Sequence, residues 1–89
     1  MTEAELLALI PAYNESERIA RVVQGARKHV RVCVVDDGSR DNTQEVARRS
    51  GAEVLRQEPN QGKGTALRMG FAHALAAGAA GVITLDADG

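Results

Sequence analysis

The sequence predicts an α/β fold in which short parallel strands alternate with helices. Three observations predict it. Brief apolar runs rich in β-branched residues read as strands buried on both faces. The stretches between them carry apolar residues at helical spacing. Each run also breaks abruptly into turn-forming or acidic residues.

Taken in order, Leu6 to Ile10 is the first strand, closed by Pro11. Asn14, with Glu17 three residues later, reads as an N-cap and capping-box acid. Ile19, Val22, Val23 and Ala26 then extend a helix to about His29. Val30 to Val35 is a second strand running into Asp36-Asp37-Gly38-Ser39, where turn chemistry takes over. Asp41 or Asn42 caps a short second helix bearing Val46 and Ala47, and Gly51 ends it in the left-handed conformation. Ala52 to Leu55 is a weaker third strand, followed by the polar loop Pro59 to Gly64. A third helix starts near Thr65, with Ala66, Leu67, Met69, Gly70, Ala74 and Ala77 on a broad face of small residues, and stops at Gly78. Val82 to Leu85 is the fourth strand.

The order βαβαβαβ implies right-handed crossovers and helices on both faces, a Rossmann-like parallel sheet. Such sheets bind ligands beyond the carboxyl ends of their strands. Pro11 to Glu15, Asp36 to Asp41, Asn60 to Gly64 and Asp86 to Gly89 all fall on that one rim.

Composition narrows the function. At 89 residues the chain holds one small domain, and its core is built largely from alanine and valine, with one Phe, one Tyr and no Trp. A net charge of −1, without a basic stripe or aromatic ladder, argues against a nucleic-acid surface. The lone Cys33, between Val32 and Val34, excludes an internal disulfide and reads as a small buried hydrophobe of a reducing compartment rather than a catalytic thiol. The first residues lack the positive charge of a signal peptide, and no apolar run reaches the ~20 residues of a membrane span, so a cytoplasmic location is expected. His29 and His73 read as ordinary helix-surface residues.

The rim carries chemistry suited to a nucleoside diphosphate. Asp37 can accept from a base imide or a ribose hydroxyl, with Ser39 and the turn amides shaping its loop, although Asp36 to Ser39 is equally readable as a turn and helix cap. Lys63, between two glycines ahead of a helix, can meet phosphate or carboxylate oxygens. Its loop is too short between glycines for a P-loop, and no G-x-G-x-x-G follows the first strand, which disfavours a nucleotide hydrolase and a dinucleotide dehydrogenase. Asp86 and Asp88, two apart at the end of an extended run, share a face and can reach one hard cation, magnesium or manganese. A cation there neutralises a departing diphosphate.

Four segments together, L-A-L-I-P-A-Y-N-E, V-V-D-D-G-S-R-D-N-T, N-Q-G-K-G-T-A-L-R-M-G-F and D-A-D-G, resemble the amino-terminal half of family 2 glycosyltransferases with the GT-A fold. Within that family they are most similar to polyprenyl-phosphate sugar transferases such as dolichyl-phosphate mannose synthase. The resemblance implies inverting sugar transfer from a UDP- or GDP-linked donor. It places Pro11, Ala12, Tyr13 and Glu15 by the base and ribose, Asp37 on the base, Lys63 in the glycine-rich loop, Asp86 and Ala87 at the diphosphate, and a divalent metal on Asp86 and Asp88. It implies a lipid-linked phosphate as acceptor and a position peripheral to the inner face of a membrane. The family's general base and acceptor residues lie downstream of Gly89, so residues 1–89 are expected to be a donor-binding half whose fourth strand is a bare edge open to self-association. A catalytically silent nucleotide-binding or interaction module with the same fold is the alternative. A sugar-phosphate nucleotidyltransferase ranks lower, because Ala12-Tyr13-Asn14-Glu15 replaces the glycine-rich basic segment expected after its first strand.

Overall fold

The computed structural model describes residues 5–87. Strands and helices alternate as β1 (Leu6–Ala12), α1 (Ile19–Ala26), β2 (Arg31–Asp36), α2 (Thr43–Arg49), β3 (Glu53–Arg56), α3 (Lys63–Ala76) and β4 (Gly81–Thr84). The strands form one parallel sheet in the order β3-β2-β1-β4. β1 is therefore central, β4 lies beside it, and the expected Rossmann-like α/β fold is the one observed.

Side-chain alternation divides the core into two layers. Ala8, Ile10, Ala12, Val32 and Val34 face α1 and α2, meeting Ile19, Val23 and Ala47. Leu7, Leu9, Cys33 and Val35 face α3, meeting Ala66 and Ala74. Burial pushes the Cys33 thiol up to about 11, with the charge of Glu53 adding to the effect. A buried thiol is what the flanking valines imply. On α3 the buried stripe is Ala66, Gly70 and Ala74, narrower than the broad face expected, since Met69 and Ala77 are exposed. The helix lies so close that a methyl group at Gly70 would stand 2.3 Å from a Leu9 methyl.

Beyond one-residue shifts in β2, β3 and β4, three elements differ from the sequence reading. β1 does not stop at Pro11 but continues to Ala12, with Pro11 level with Val35 and Ala12 with Asp36. The Leu9 carbonyl accepts from Leu85 on the β4 side, and the Ala12 carbonyl accepts from Asp37 on the β2 side. Alternate residues thus serve alternate neighbours. Pro11 shares the parity of Leu9, so its nitrogen, which carries no hydrogen, turns toward β4 beyond the last β1–β4 pair, Leu9 with Thr84.

The second difference is at α1. Asn14 does not cap it: its backbone is left-handed, at φ 55°, and its side chain is engaged elsewhere. The Glu15 carbonyl accepts from both Arg18 and Ile19 in an intervening turn, and the helix proper starts at Ile19 without a side-chain cap. It ends at Ala26, short of His29, because the Ala26 carbonyl takes the amides of His29 and Val30 and redirects the chain into β2.

Third, α3 opens at Lys63, ahead of Thr65, placing the lysine in its first turn. At α2, Asp41 rather than Asn42 serves the helix start, its Oδ1 accepting the Thr43 amide at 2.9 Å. Gly51 follows the helix at φ 107°, the left-handed exit that only glycine adopts freely.

Candidate functional site

Every strand delivers its carboxyl end to the same rim, and the loops there are fixed to one another before any ligand arrives. The loop after β1 is stapled to the loop after β2. The Asn14 amide donates to Ser39 Oγ at 2.8 Å, the Arg40 amide to Asn14 Oδ1 at 2.9 Å, the Glu15 amide to Thr43 Oγ1 at 2.8 Å, and the Ser16 amide to Asp41 Oδ2 at 3.3 Å. Burial pushes the Asp41 carboxyl up, yet the hydrogen bonds from Thr43 and Ser16 together outweigh it and hold the group below its ordinary value.

Beneath this staple lies a buried acid. Asp36, fully enclosed, accepts the Ser39 amide at 3.1 Å and pairs with the Arg56 guanidinium. Arg56 also reaches the Ser39 carbonyl at 3.1 Å and Glu58 at 2.6 Å. The Glu58 hydrogen bond, with the charges of Asp36 and Glu58, raises an already high guanidinium value further. Asp36 thus serves the loop's architecture, and its neighbour faces the cleft.

Asp37 organises the third loop. Its Oδ1 accepts from Gln57 Nε2 at 2.7 Å and from the Gln61 amide at 2.8 Å, and its Oδ2 accepts from the Gly62 amide at 2.9 Å. Asn60 Nδ2 donates to the Asp37 carbonyl at 3.0 Å. A carboxylate offers about four lone-pair sites, so these three donors leave Oδ2 room for one more. The loop passes so near that a methyl at Gly38, itself at φ 75°, would lie 2.7 Å from the Asn60 nitrogen.

Between these loops is a cleft of about 470 Å³ lined by Pro11, Ala12, Tyr13, Glu15, Asp37, Asn60, Gly62, Lys63, Asp86 and Ala87. All eight residues singled out for nucleotide-sugar contact line it. Asp88, expected to share a metal with Asp86, lies outside the described residues, as does Gly89. Tyr13 is substantially exposed on the wall, and the Glu15 carboxylate is held by Arg18 at 2.6 Å. Lys63 Nζ meets Asp86 Oδ1 at 3.1 Å, with both side chains about two-thirds exposed. An ion pair this open contributes at most ~1 kcal/mol, so either partner is readily drawn to a ligand.

The α3 amino terminus closes the cleft. Gly62 precedes it without a side-chain cap, so the helix's first amides and its positive end are available to an anion. Asn60 and Gly62 also line the cleft; sequence reasoning placed them on the rim within Asn60 to Gly64 but assigned neither a role of its own. Gln57 holds Asp37 from a strand end where no local pattern marks it.

Comparison with known proteins places this arrangement. Among curated relatives, the UDP-N-acetylglucosamine–dolichyl-phosphate N-acetylglucosaminyltransferase of Methanococcus voltae is 32% identical over 108 residues, covering 100% of this chain and 43% of the relative. Glycosyltransferase AglJ of Haloferax volcanii is 41% identical over 83 residues, covering 91% of this chain and 26% of the relative. Among solved structures, glucosyl-3-phosphoglycerate synthase from Mycobacterium tuberculosis, in complex with Mn2+, UDP and glucosyl-3-phosphoglycerate, superimposes with a TM-score of 0.78. Its sequence identity is 26%, with 94% of this chain and 33% of that chain covered. The chain spans less than half the length of each. The model of glycosyl transferase family 2 matches residues 8–89, a stretch containing every cleft residue, and the chain belongs to that family.

Proposed function

We propose that residues 1–89 are the donor-binding half of an inverting glycosyltransferase that uses a UDP- or GDP-linked sugar and a divalent cation, magnesium or manganese. The observation that carries this reading is the single cleft in which a helix amino terminus, Lys63, Asp37 and Asp86 converge. A nucleoside diphosphate needs each of these groups. Asp37, with its spare Oδ2 site, accepts a hydrogen from the base. Tyr13 and Pro11 offer apolar surface to the base and ribose, with Ala12 lining the cleft beside them, and Glu15 accepts from a ribose hydroxyl.

The diphosphate lies by Lys63, the first amides of α3 and Ala87. Phosphate oxygens are stronger partners for the lysine than the exposed Asp86 carboxylate, so donor binding separates the Lys63–Asp86 pair. The released Asp86 is a hard oxygen donor at the cleft mouth, which fits magnesium or manganese, and Asp86 with Asp88 would hold the ion. Bound there, such an ion neutralises charge on the leaving diphosphate.

Inverting transfer requires an acceptor oxygen to attack the anomeric carbon opposite the departing diphosphate, with a general base taking its proton. We assign that role to the region beyond Gly89 in the whole protein, since this chain spans less than half the length of its relatives. The dolichyl-phosphate specificity named for the Methanococcus relative favours a lipid-linked phosphate as acceptor. Such an acceptor would bring the whole protein to the cytoplasmic face of a membrane, peripherally, since no helix among the described residues is long and apolar enough to cross one. In the isolated chain, β4 is an edge with Ile83 exposed, and we assign it a tendency to pair with a second copy.

Calorimetry of the chain with UDP and with GDP, each with and without manganese, tests the donor site. Metal-dependent binding that weakens at least tenfold in Asp86→Asn is the expected result. Binding indifferent to metal and to Asp86 would instead identify a silent nucleotide-binding module, and absence of binding to either nucleotide would overturn the reading.

A further inference from the structure

We propose that Cys33, Glu53 and His73 form a metal site on the α3 face of the sheet, away from the donor cleft, that takes one zinc-class cation. Cys33 and Glu53 are register partners on adjacent strands, and His73 reaches them from α3. The Cys33 Sγ, a Glu53 carboxylate oxygen and a His73 ring nitrogen all lie within 4.8 Å of one another.

The geometry suits a tetrahedral ion. His73 Nε2 and Glu53 Oε1 are 3.5 Å apart. Zinc bonds of about 2.0–2.2 Å to nitrogen and oxygen, opened to the tetrahedral angle, separate those two atoms by about 3.4 Å. Arg31 holds the other carboxylate oxygen, Oε2, at 3.0 Å, orienting Oε1 toward the imidazole. This is the supporting partner that a metal-bound carboxylate commonly has.

The donor set selects the ion. A thiolate, an imidazole and a carboxylate together favour zinc or cobalt over magnesium or manganese, which prefer all-oxygen ligands. On binding, the Cys33 proton leaves to solvent, and thiolate plus carboxylate then balance a dication. Three protein ligands leave a fourth position for water, which can enter from the Glu53 and His73 side, where both side chains are partly exposed.

The site is remote from nucleotide chemistry. Lys63 opens α3 at the cleft, whereas His73 lies in the helix's last turn, about 15 Å further along at 1.5 Å per residue. A cation at this position ties β2, β3 and α3 together, three elements that sequence separates widely.

The test is a titration of the metal-free 89-residue chain with Co2+ in the absence of nucleotide. One equivalent should bind with a thiolate-to-cobalt charge-transfer band and the visible absorption of a four-coordinate ion. One equivalent of Zn2+ should bleach both and raise the melting temperature. Cys33→Ala should abolish the charge-transfer band. His73→Ala and Glu53→Gln, changes at partly exposed positions that leave the core intact, should each weaken binding at least tenfold. Asp86→Asn should leave the spectrum unchanged. No charge-transfer band at saturating Co2+, or full affinity retained in both His73→Ala and Glu53→Gln, would overturn the proposal.

Discussion

The Asn14 side-chain oxygen accepts the Arg40 backbone amide at 2.9 Å, and with its own amide on Ser39 Oγ this asparagine makes two of the four hydrogen bonds that fix the loop after β1 to the loop after β2. Its left-handed backbone makes the reach possible. Asn14→Ala removes the acceptor and leaves a β-carbon at positive φ, and should lower stability by about 1–2 kcal/mol in urea unfolding. Asn14→Gly keeps the backbone freedom and should lose less. Equal losses would show that the hydrogen bond alone carries the cost.

Asp37 is nearly enclosed and receives three donors on its carboxylate. Asp37→Ala strands the Gln57 amide and the Gln61 and Gly62 backbone amides, and should cost about 2–4 kcal/mol while abolishing UDP or GDP binding. Asp37→Asn keeps one acceptor oxygen and should fall between. Wild-type stability in Asp37→Ala, measured by thermal unfolding, would contradict the loop-organising role.

Two glycines within helices make opposite predictions. Gly70→Ala forces a methyl against Leu9 and should destabilise by about 1–3 kcal/mol, despite the better helix propensity of alanine. Gly25→Ala on α1 meets no heavy atom within 4 Å and should stabilise by about 0.5–1 kcal/mol. A melting temperature raised in Gly70→Ala as in Gly25→Ala would disprove the close approach of α3 to the sheet.

The depressed Asp41 carboxyl sets a pH signature. A group whose folded value lies below its unfolded one contributes stability that is complete above the unfolded value and lost as pH falls through the folded value. The stability difference between wild type and Asp41→Ala should therefore be constant at neutral pH and close below the ordinary carboxyl value of 3.8. A difference that widens on acidification would reverse the sign of the effect.

The order of elements and the rim were legible because apolar period and turn residues report locally on strand, helix and loop. β2 shows the limit of that reading: its valines mark it as a strand, but its last residue is a buried aspartate that only Arg56 from the next strand can balance. Asn14 was misread for the same reason. Its position before an apolar helix fits a cap, whereas its partner is Arg40, brought near by the parallel pairing of β1 and β2. The cleft residues were found through motif order, and Gln57 was missed because a glutamine bonded to a distant carboxylate leaves no trace in spacing. His73 looks like surface in sequence, since nothing local reveals that its helix crosses above Cys33 and Glu53.

Pro11 gives the sheet a stop. If β4 ran further along β1, its next carbonyl, that of Leu85, would face the Pro11 nitrogen, which has no hydrogen to give. The β1–β4 ladder therefore closes with the Leu85 amide on the Leu9 carbonyl, and the chain has left the sheet by Asp86, where it meets the cleft.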